Sequence, residues 1–316
     1  MTEPYRILDL GDRRVLETAG RQYPTRYSAR VIRMLVERKG PRRAPLYFDF
    51  KETRGRHFLG PLFAYLRSQR RCGLRVLEVG CSFGHMTEFL AERPEVTTLA
   101  TFDTDPAFVE LTRAKVEELG LGAVREVLHL DQGGTCTLPW ADGAFDLVVA
   151  VGVVEHLPVR YRRRQVDEYY RVLAAGGLLT VLDTPNRWFP LETHSVGLPL
   201  VQWLPPRLAY RYARLGRPRR YRAVSYEQFV ADGTGWRNAS FADCLPSAAA
   251  GGVSDLTEQA GYGWQFFRAT ARSRTRRALL PLFGAAAAVL AAAGRPPSLA
   301  LPYLNLLFRL DGQAQA

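Results

Sequence analysis

LRVLEVGCSFGHMTEFLAERPEVTTLATFDTDP, residues 74–106, decides the fold. It opens with a short apolar run that ends in Gly80. A glycine-bearing turn follows, then a helix over GHMTEFLAERP that Pro94 stops, then a second strand, VTTLATFD. Strand, turn, helix and strand in about thirty residues make a βαβ unit, whose two strands lie parallel.

The same rhythm continues to residue 185. PAFVELTRAKVEELG (106–120) is a helix with Pro106 at its start and Gly120 at its end. AVREVLHLD (123–131) is a third strand, and AFDLVVAVGVV (144–154) has the unbroken apolar character of a strand buried on both faces. YRRRQVDEYYRVLAAGG (161–177) reads as a helix with a glycine stop, and LLTVLDTP (178–185) as a fifth strand. Upstream, residues 12–38 and 56–71 carry apolar positions at helical spacing and read as helices around an aromatic, basic loop. Downstream, residues 184–250 hold seven prolines and an arginine cluster, and read as an insertion. Residues 254–270 resume as helix and strand, and YLNLLFRL (303–310) supplies a last strand after an Ala-rich helix. The expected architecture is α/β: a Rossmann-like seven-stranded sheet with helices on both faces, an N-terminal helical region and a cap insertion after strand 5. The expected segments are 1–72 (helical cap), 73–183 (core), 184–250 (substrate cap) and 251–316 (completion of the sheet).

Composition narrows the classes. Of 316 residues, 47% are hydrophobic and 23% charged, which excludes disordered and fibrous chains. Cys72, Cys81, Cys136 and Cys244 form no CxxC pair, so a reducing, cytoplasmic setting is expected and no metal is. The opening MTEPYRILDLGDRR lacks the apolar core of a secretory signal. The net charge of +12 is uneven: +10 over residues 1–72, −7 over 73–183 and +9 over 184–316. Only three of the 43 basic residues are lysine. Ala278–Gly294 is apolar but too short to span a bilayer, so a buried or an interfacial helix is expected there; Arg272, Arg274, Arg276 and Arg277 precede it, as they would in a surface-lying helix. The stretch 207–222 interleaves seven arginines with tyrosines, a pattern of solvated faces or of phosphate contacts.

Chemistry gathers at the carboxyl ends of the strands, where open parallel sheets bind ligands. The marks are E-V-G-C-S-F-G (78–84), Asp103, Asp131 and V-E-H-L-P (154–158), in that order. Asp103 stands about twenty residues after the glycine turn, where an acid accepts ribose hydroxyls. A dehydrogenase would need G-x-G-x-x-G, and Ser82 with Met86 spoils that register.

With L-P-W-A-D-G-A-F-D (138–146) and R-V-L-A-A-G-G-L-L (171–179), the chain resembles the class I S-adenosylmethionine-dependent methyltransferases, most closely their type 11 group. The resemblance implies S-adenosyl-L-methionine as cofactor. It implies that Gly80, Cys81, Ser82 and Gly84 shape the methionine turn, with Glu78 supporting it. Asp103 would bind the ribose, Thr104 would lie beside the adenine, Asp131 would meet the adenine amino group with Gln132 next to it, and Val151 with Gly152 would line the methionine. The family often has glycine where Ser82 stands; serine fits if its φ is negative. His156 and His194 are the candidate bases for methylating a hydroxyl, and Asn186, Arg187 and Trp188 the candidate acceptor contacts. The expected acceptor is a small molecule, a lipid or a glycan precursor. No RNA-binding module and no N-P-P-Y/F after the fourth strand is present, so nucleic acid is not expected. The competing reading is a protein that binds a membrane surface or anionic ligand on the same scaffold, with little catalysis.

Overall fold

The computed structural model describes residues 4–11, 13–130, 137–192, 194–216, 222–232, 236–247 and 252–311. Asp131 and Gln132 lie outside the described residues. The chain divides into two compact units, Met1–Gly133 and Gly134–Ala316, a division that falls inside the 73–183 segment.

The first unit begins with a departure from expectation. Residues 5–25 form an antiparallel sheet of β1 (Tyr5–Asp9), β2 (Arg14–Thr18) and β3 (Arg21–Thr25); helix starts only at α1 (Ala29–Lys39). The β2–β3 turn explains why. Ala19 and Gly20 both have positive φ, 50° and 72°, which suits a two-residue hairpin whose twist matches its strands. Ala-Gly lacks the Asn or Asp that marks such turns, so adjacent Val15 and Leu16 read as helical. The second expected helix is present as α2 (Arg56–Ser68).

The βαβ unit forms as read: β4 (Leu74–Val79), α3 (His85–Ala91), β5 (Val96–Asp103), α4 (Pro106–Leu119) and β6 (Val124–His129). β4 pairs parallel with β5, and β5 with β6. The Asp105 side chain caps α4 by accepting from Ala107 N, Pro106 opens the helix and left-handed Gly120 closes it.

The three lysines gather in this unit. Lys39 Nζ lies 4.7 Å from the centroid of the Phe83 ring. Lys51 and Lys115 are buried and flank the buried Glu88, at 3.4 and 3.5 Å. Lys115 Nζ donates to Tyr27 Oη (2.9 Å), which donates to Glu88 Oε2 (2.8 Å), and Arg26 also pairs with Glu88. Burial pushes the Lys115 ammonium below its ordinary pKa. A compact ammonium on a flexible stem fits such a site better than a planar guanidinium.

The second unit contains β7 (Phe145–Val151), α5 (Val159–Arg171), β8 (Leu173–Pro185), α6 (Pro206–Ala213), α7 (Tyr226–Asp232), β9 (Val253–Asp255), α8 (Gly263–Thr270), α9 (Arg274–Ala292) and β10 (Tyr303–Leu310). α5 ends at Arg171 rather than at the glycines. The Arg171 guanidinium donates to Leu138 O, Trp140 O, Asp142 and Glu168, and strand pairing resumes at Leu173. β10 is antiparallel to β8 and to β9. In sheet order the seven strands are β6-β5-β4-β7-β8-β10-β9, with the last strand in sequence inserted antiparallel. This is a mixed, Rossmann-like α/β sheet.

Candidate functional site

In the first unit the site is the turn after β4. Gly80 N and Cys81 N both donate to Phe102 O at 3.0 Å, folding the turn onto the end of β5. Gly80, Ser82 and Gly84 all have positive φ, 77°, 46° and 70°. Ser82 therefore does not take the negative φ expected of it; it holds the left-handed conformation that glycine adopts more readily. Its backbone explains this. Ser82 N donates to Asp103 Oδ2 (2.8 Å), and Ser82 O accepts from Thr112 Oγ1 (3.3 Å). Gly84 disfavours any side chain, since its φ is +70° and a Cβ there would lie 3.0 Å from Thr112 Oγ1 and 3.3 Å from Thr112 Cα.

Asp103 is half-buried, and each carboxylate oxygen accepts one backbone N–H, Oδ2 from Ser82 and Oδ1 from Asp105 (3.0 Å). Burial raises its pKa against these hydrogen bonds. Thr104 is exposed, and its carbonyl lies 3.1 Å from His129 Nε2. Cys81 differs from expectation in its side chain, which is buried among Val109 and Val127, so only its backbone serves the turn. Burial pushes its thiol pKa up.

Glu78 is buried beneath the turn and accepts from Thr87 Oγ1. Desolvation pushes its carboxyl pKa up to about 8. The folded state thus holds this proton more tightly than the unfolded chain, whose value is 4.5. Its contribution to stability is complete below that unfolded value and is lost as pH rises to about 8. Thermal melts of the ligand-free protein across this window should fall in midpoint, and Glu78→Gln should flatten the slope. An unchanged slope in the variant would show that Glu78 ionises normally.

The second unit holds the other candidates. Val151 ends β7, half-buried, and Gly152 turns the chain with φ 65°. A single 3₁₀ turn, Val154–His156, follows. Glu155 is buried: Oε2 accepts from Thr184 Oγ1 (3.2 Å), while Oε1 has no hydrogen-bond partner among the described residues. Burial, with the Asp183 carboxylate adding to it, pushes Glu155 up to about 8. The exposed rings of His156 and His194 lie 5.1 Å apart, centroid to centroid. The structure therefore brings together the two histidines that the sequence separates by 38 positions. Glu155, His156 and His194 each offer a ligand atom within 4.8 Å of the others, so this trio is also where a divalent cation could be held among the described residues.

Two buried residues that sequence reasoning missed build this arrangement. The Glu192 carboxylate accepts from the backbone N–H groups of His194 (2.9 Å), Ser195 (2.8 Å), Val196 (2.6 Å) and Gly197 (3.2 Å), and from Asn238 Nδ2 (3.3 Å). It folds the segment that carries His194. Arg162 donates to Glu155 O, Leu157 O and Asn238 O, fixing the turn that carries His156. In sequence Glu192 is an ordinary loop acid, and Arg162 is hidden in an arginine run.

The expected acceptor contacts separate. Asn186 is buried, donates to Leu299 O and Leu301 O, and accepts from Trp188 N. Its side chain forms a structural corner committed to backbone. Arg187 lies over the Trp188 ring at 5.3 Å, and Trp188 is 54% exposed.

The turn is thus closed by the carboxylate at the end of β5, in a sheet whose last strand in sequence, β10, runs antiparallel to β8 and β9. Residues 77–181 match the methyltransferase domain family. This segment belongs to the class I S-adenosylmethionine-dependent methyltransferases. The domain is 34% identical over 112 residues to demethylmenaquinone methyltransferase of Thermus thermophilus, covering 35% of this chain and 47% of that protein. It is 34% identical over 111 residues to a phosphatidylethanolamine N-methyltransferase of Cereibacter sphaeroides, covering 35% and 51%. A match of 29% over 185 residues to the probable tRNA methyltransferase 9B of Bos taurus covers 56% and 35%. The chain spans about a third to a half of the length of these curated relatives.

Proposed function

We propose that the protein is an S-adenosylmethionine-dependent methyltransferase acting on a hydroxyl of a small-molecule or lipid acceptor. Asp103 carries this reading. Each of its oxygens takes one backbone N–H, and the second lone pairs fit two adjacent hydroxyls of a ribose. When bound, the cofactor supplies an electrophilic methyl group on a good leaving group. The residues that would hold it are Glu78, Gly80, the Cys81 and Ser82 backbone, Gly84, Asp103, Thr104 and Val151, with Asp131 and Gln132 assigned by resemblance. Positioning is most of the catalytic task in such a transfer. A hydroxyl acceptor also needs a base, and His156 with His194 supplies it. Glu155 lies beneath the pair, with its Oε1 3.9 Å from His156 Nε2, and can share the proton. Two relatives named for a quinone-type and a phospholipid acceptor favour a lipid-like or small-molecule acceptor here. The tRNA-related match is outweighed by the missing base-methylation motif. A purely binding role would leave the histidine pair and the Asp103 geometry without a use.

The test is transfer of labelled methyl from S-adenosylmethionine into lipid and water-soluble extracts. Label is expected as a methyl ether. His156→Gln and His194→Gln should each lower kcat by about 10²-fold or more with little change in cofactor affinity. Label found on nitrogen would overturn the oxygen assignment, and unchanged kcat in both variants would overturn the assignment of the base.

A further inference from the structure

α9 is an anomaly of this fold. From Ala278 to its end, and on to Gly294, the chain has no polar side chain. A helix that is apolar all round belongs in a core. Yet over that stretch only Ala287 is buried; Leu279, Leu282 and Val289 are 41%, 66% and 69% exposed. One side is seated: the Phe283 ring lies 5.1 Å from Phe267 and 5.8 Å from Phe189, and Gly284 rests on Trp264. The other side presents Leu279, Leu282, Ala286, Val289 and Ala293, spaced as one helical stripe, to solvent. Exposed apolar patches of this extent mark interaction surfaces.

The charges around the stripe indicate what covers it. Arg272, Arg274, Arg276 and Arg277 are all exposed at the N-terminal end of α9, and its first turn has no acid. Four cations at the positive end of a helix dipole oppose the field there, and an external anion relieves both. Phe189 ties the stripe's neighbourhood to the loop after β8. That loop exposes Trp188 (54%), Leu191 (43%), Leu200 (45%) and Trp203 (50%), with Trp203 held by its Nε1 donating to Arg187 O. Half-exposed tryptophans and arginines beside an apolar helix are the equipment of a bilayer interface. No helix of the described residues is long and apolar enough to cross a membrane, so α9 would lie in the surface plane. A second copy of the chain is the poorer occupant, since residues 184–316 carry +9 and would meet their own charge.

We infer that α9, with the exposed Trp188, Leu191, Leu200 and Trp203 beside it, forms a docking face for an anionic lipid surface. This is independent of the catalytic reading and is tested without measuring activity. The full-length protein should co-sediment with vesicles of phosphatidylcholine and phosphatidylglycerol at low salt. It should bind pure phosphatidylcholine vesicles roughly tenfold less, and binding to the mixed vesicles should weaken as salt rises. Leu282→Glu with Val289→Glu should abolish sedimentation while leaving the melting temperature unchanged. Arg274→Ala with Arg276→Ala should remove the preference for anionic vesicles. Three results would overturn the inference: no sedimentation of the wild type with the mixed vesicles, equal sedimentation of the Leu282/Val289 variant, or a vesicle-free dimer that this variant dissociates.

Discussion

Asp103→Ala is expected to weaken binding of S-adenosylhomocysteine by roughly 100-fold, equivalent to about 3 kcal/mol. The two charge-assisted hydrogen bonds to ribose hydroxyls proposed for Asp103 would account for that magnitude. The variant also frees Ser82 N and Asp105 N, which Asp103 accepts in the intact protein. Because Ser82 holds a positive φ while bound to this carboxylate, the turn loses its anchor as well. Asp103→Asn separates the two effects. Its side-chain oxygen can keep one backbone bond, so it should retain the turn and lose most of the affinity. Equilibrium dialysis on the two variants measures both. Wild-type affinity in Asp103→Ala would show that the ribose is held elsewhere.

Glu88→Ala should be the most destabilising single change in the first unit, by about 3–5 kcal/mol. Lys115 and Glu88 are each 1% exposed at the side chain, and Lys51 is 10% exposed. Removing the carboxylate leaves Lys115 as a buried cation hydrogen-bonded to the neutral Tyr27 Oη, and leaves Lys51 to Glu92 and Glu52. The melting temperature should fall by roughly 10 °C or more. Combining Glu88→Leu with Lys115→Met should recover much of the loss, because an apolar pair of similar volume needs no compensating charge. A loss below about 1 kcal/mol in Glu88→Ala would mean that the network is solvated and contributes little.

The parts of the fold set by local rules were legible in sequence. A short apolar run ending in glycine gave β4, the alternation of strand and helix gave β5, an unbroken apolar run gave β7, and Pro106 with Gly120 bounded α4. YLNLLFRL matched β10 to the residue, because a buried strand is a strong local signal. The hairpin at residues 14–25 was not legible, since its turn uses Ala-Gly and its apolar pair at 15 and 16 fits either period. The end of α5 was hidden because Arg171 ends it through contacts 29 to 33 residues away in sequence, not through the glycines.

The site divides in the same way. Asp103 and the glycine turn were legible because strand ends have fixed chemistry. The φ of Ser82 was not, because it answers to a bond from Asp103 and another from Thr112. The meeting of His156 with His194 depends on Glu192, a buried carboxylate surrounded by four backbone N–H groups that the chain supplies only once folded. The backbone hydrogen bonds of Asn186 were not legible, because a buried corner and a pocket wall draw on the same residue types.

The measurement that tests the central claim most directly is calorimetric titration of the wild-type protein with S-adenosylhomocysteine. One saturable site is expected, with its heat lost in Asp103→Ala and kept in Leu282→Glu/Val289→Glu. A folded wild-type protein that gives no heat of binding, or an Asp103→Ala variant that binds as well as wild type, would contradict the account.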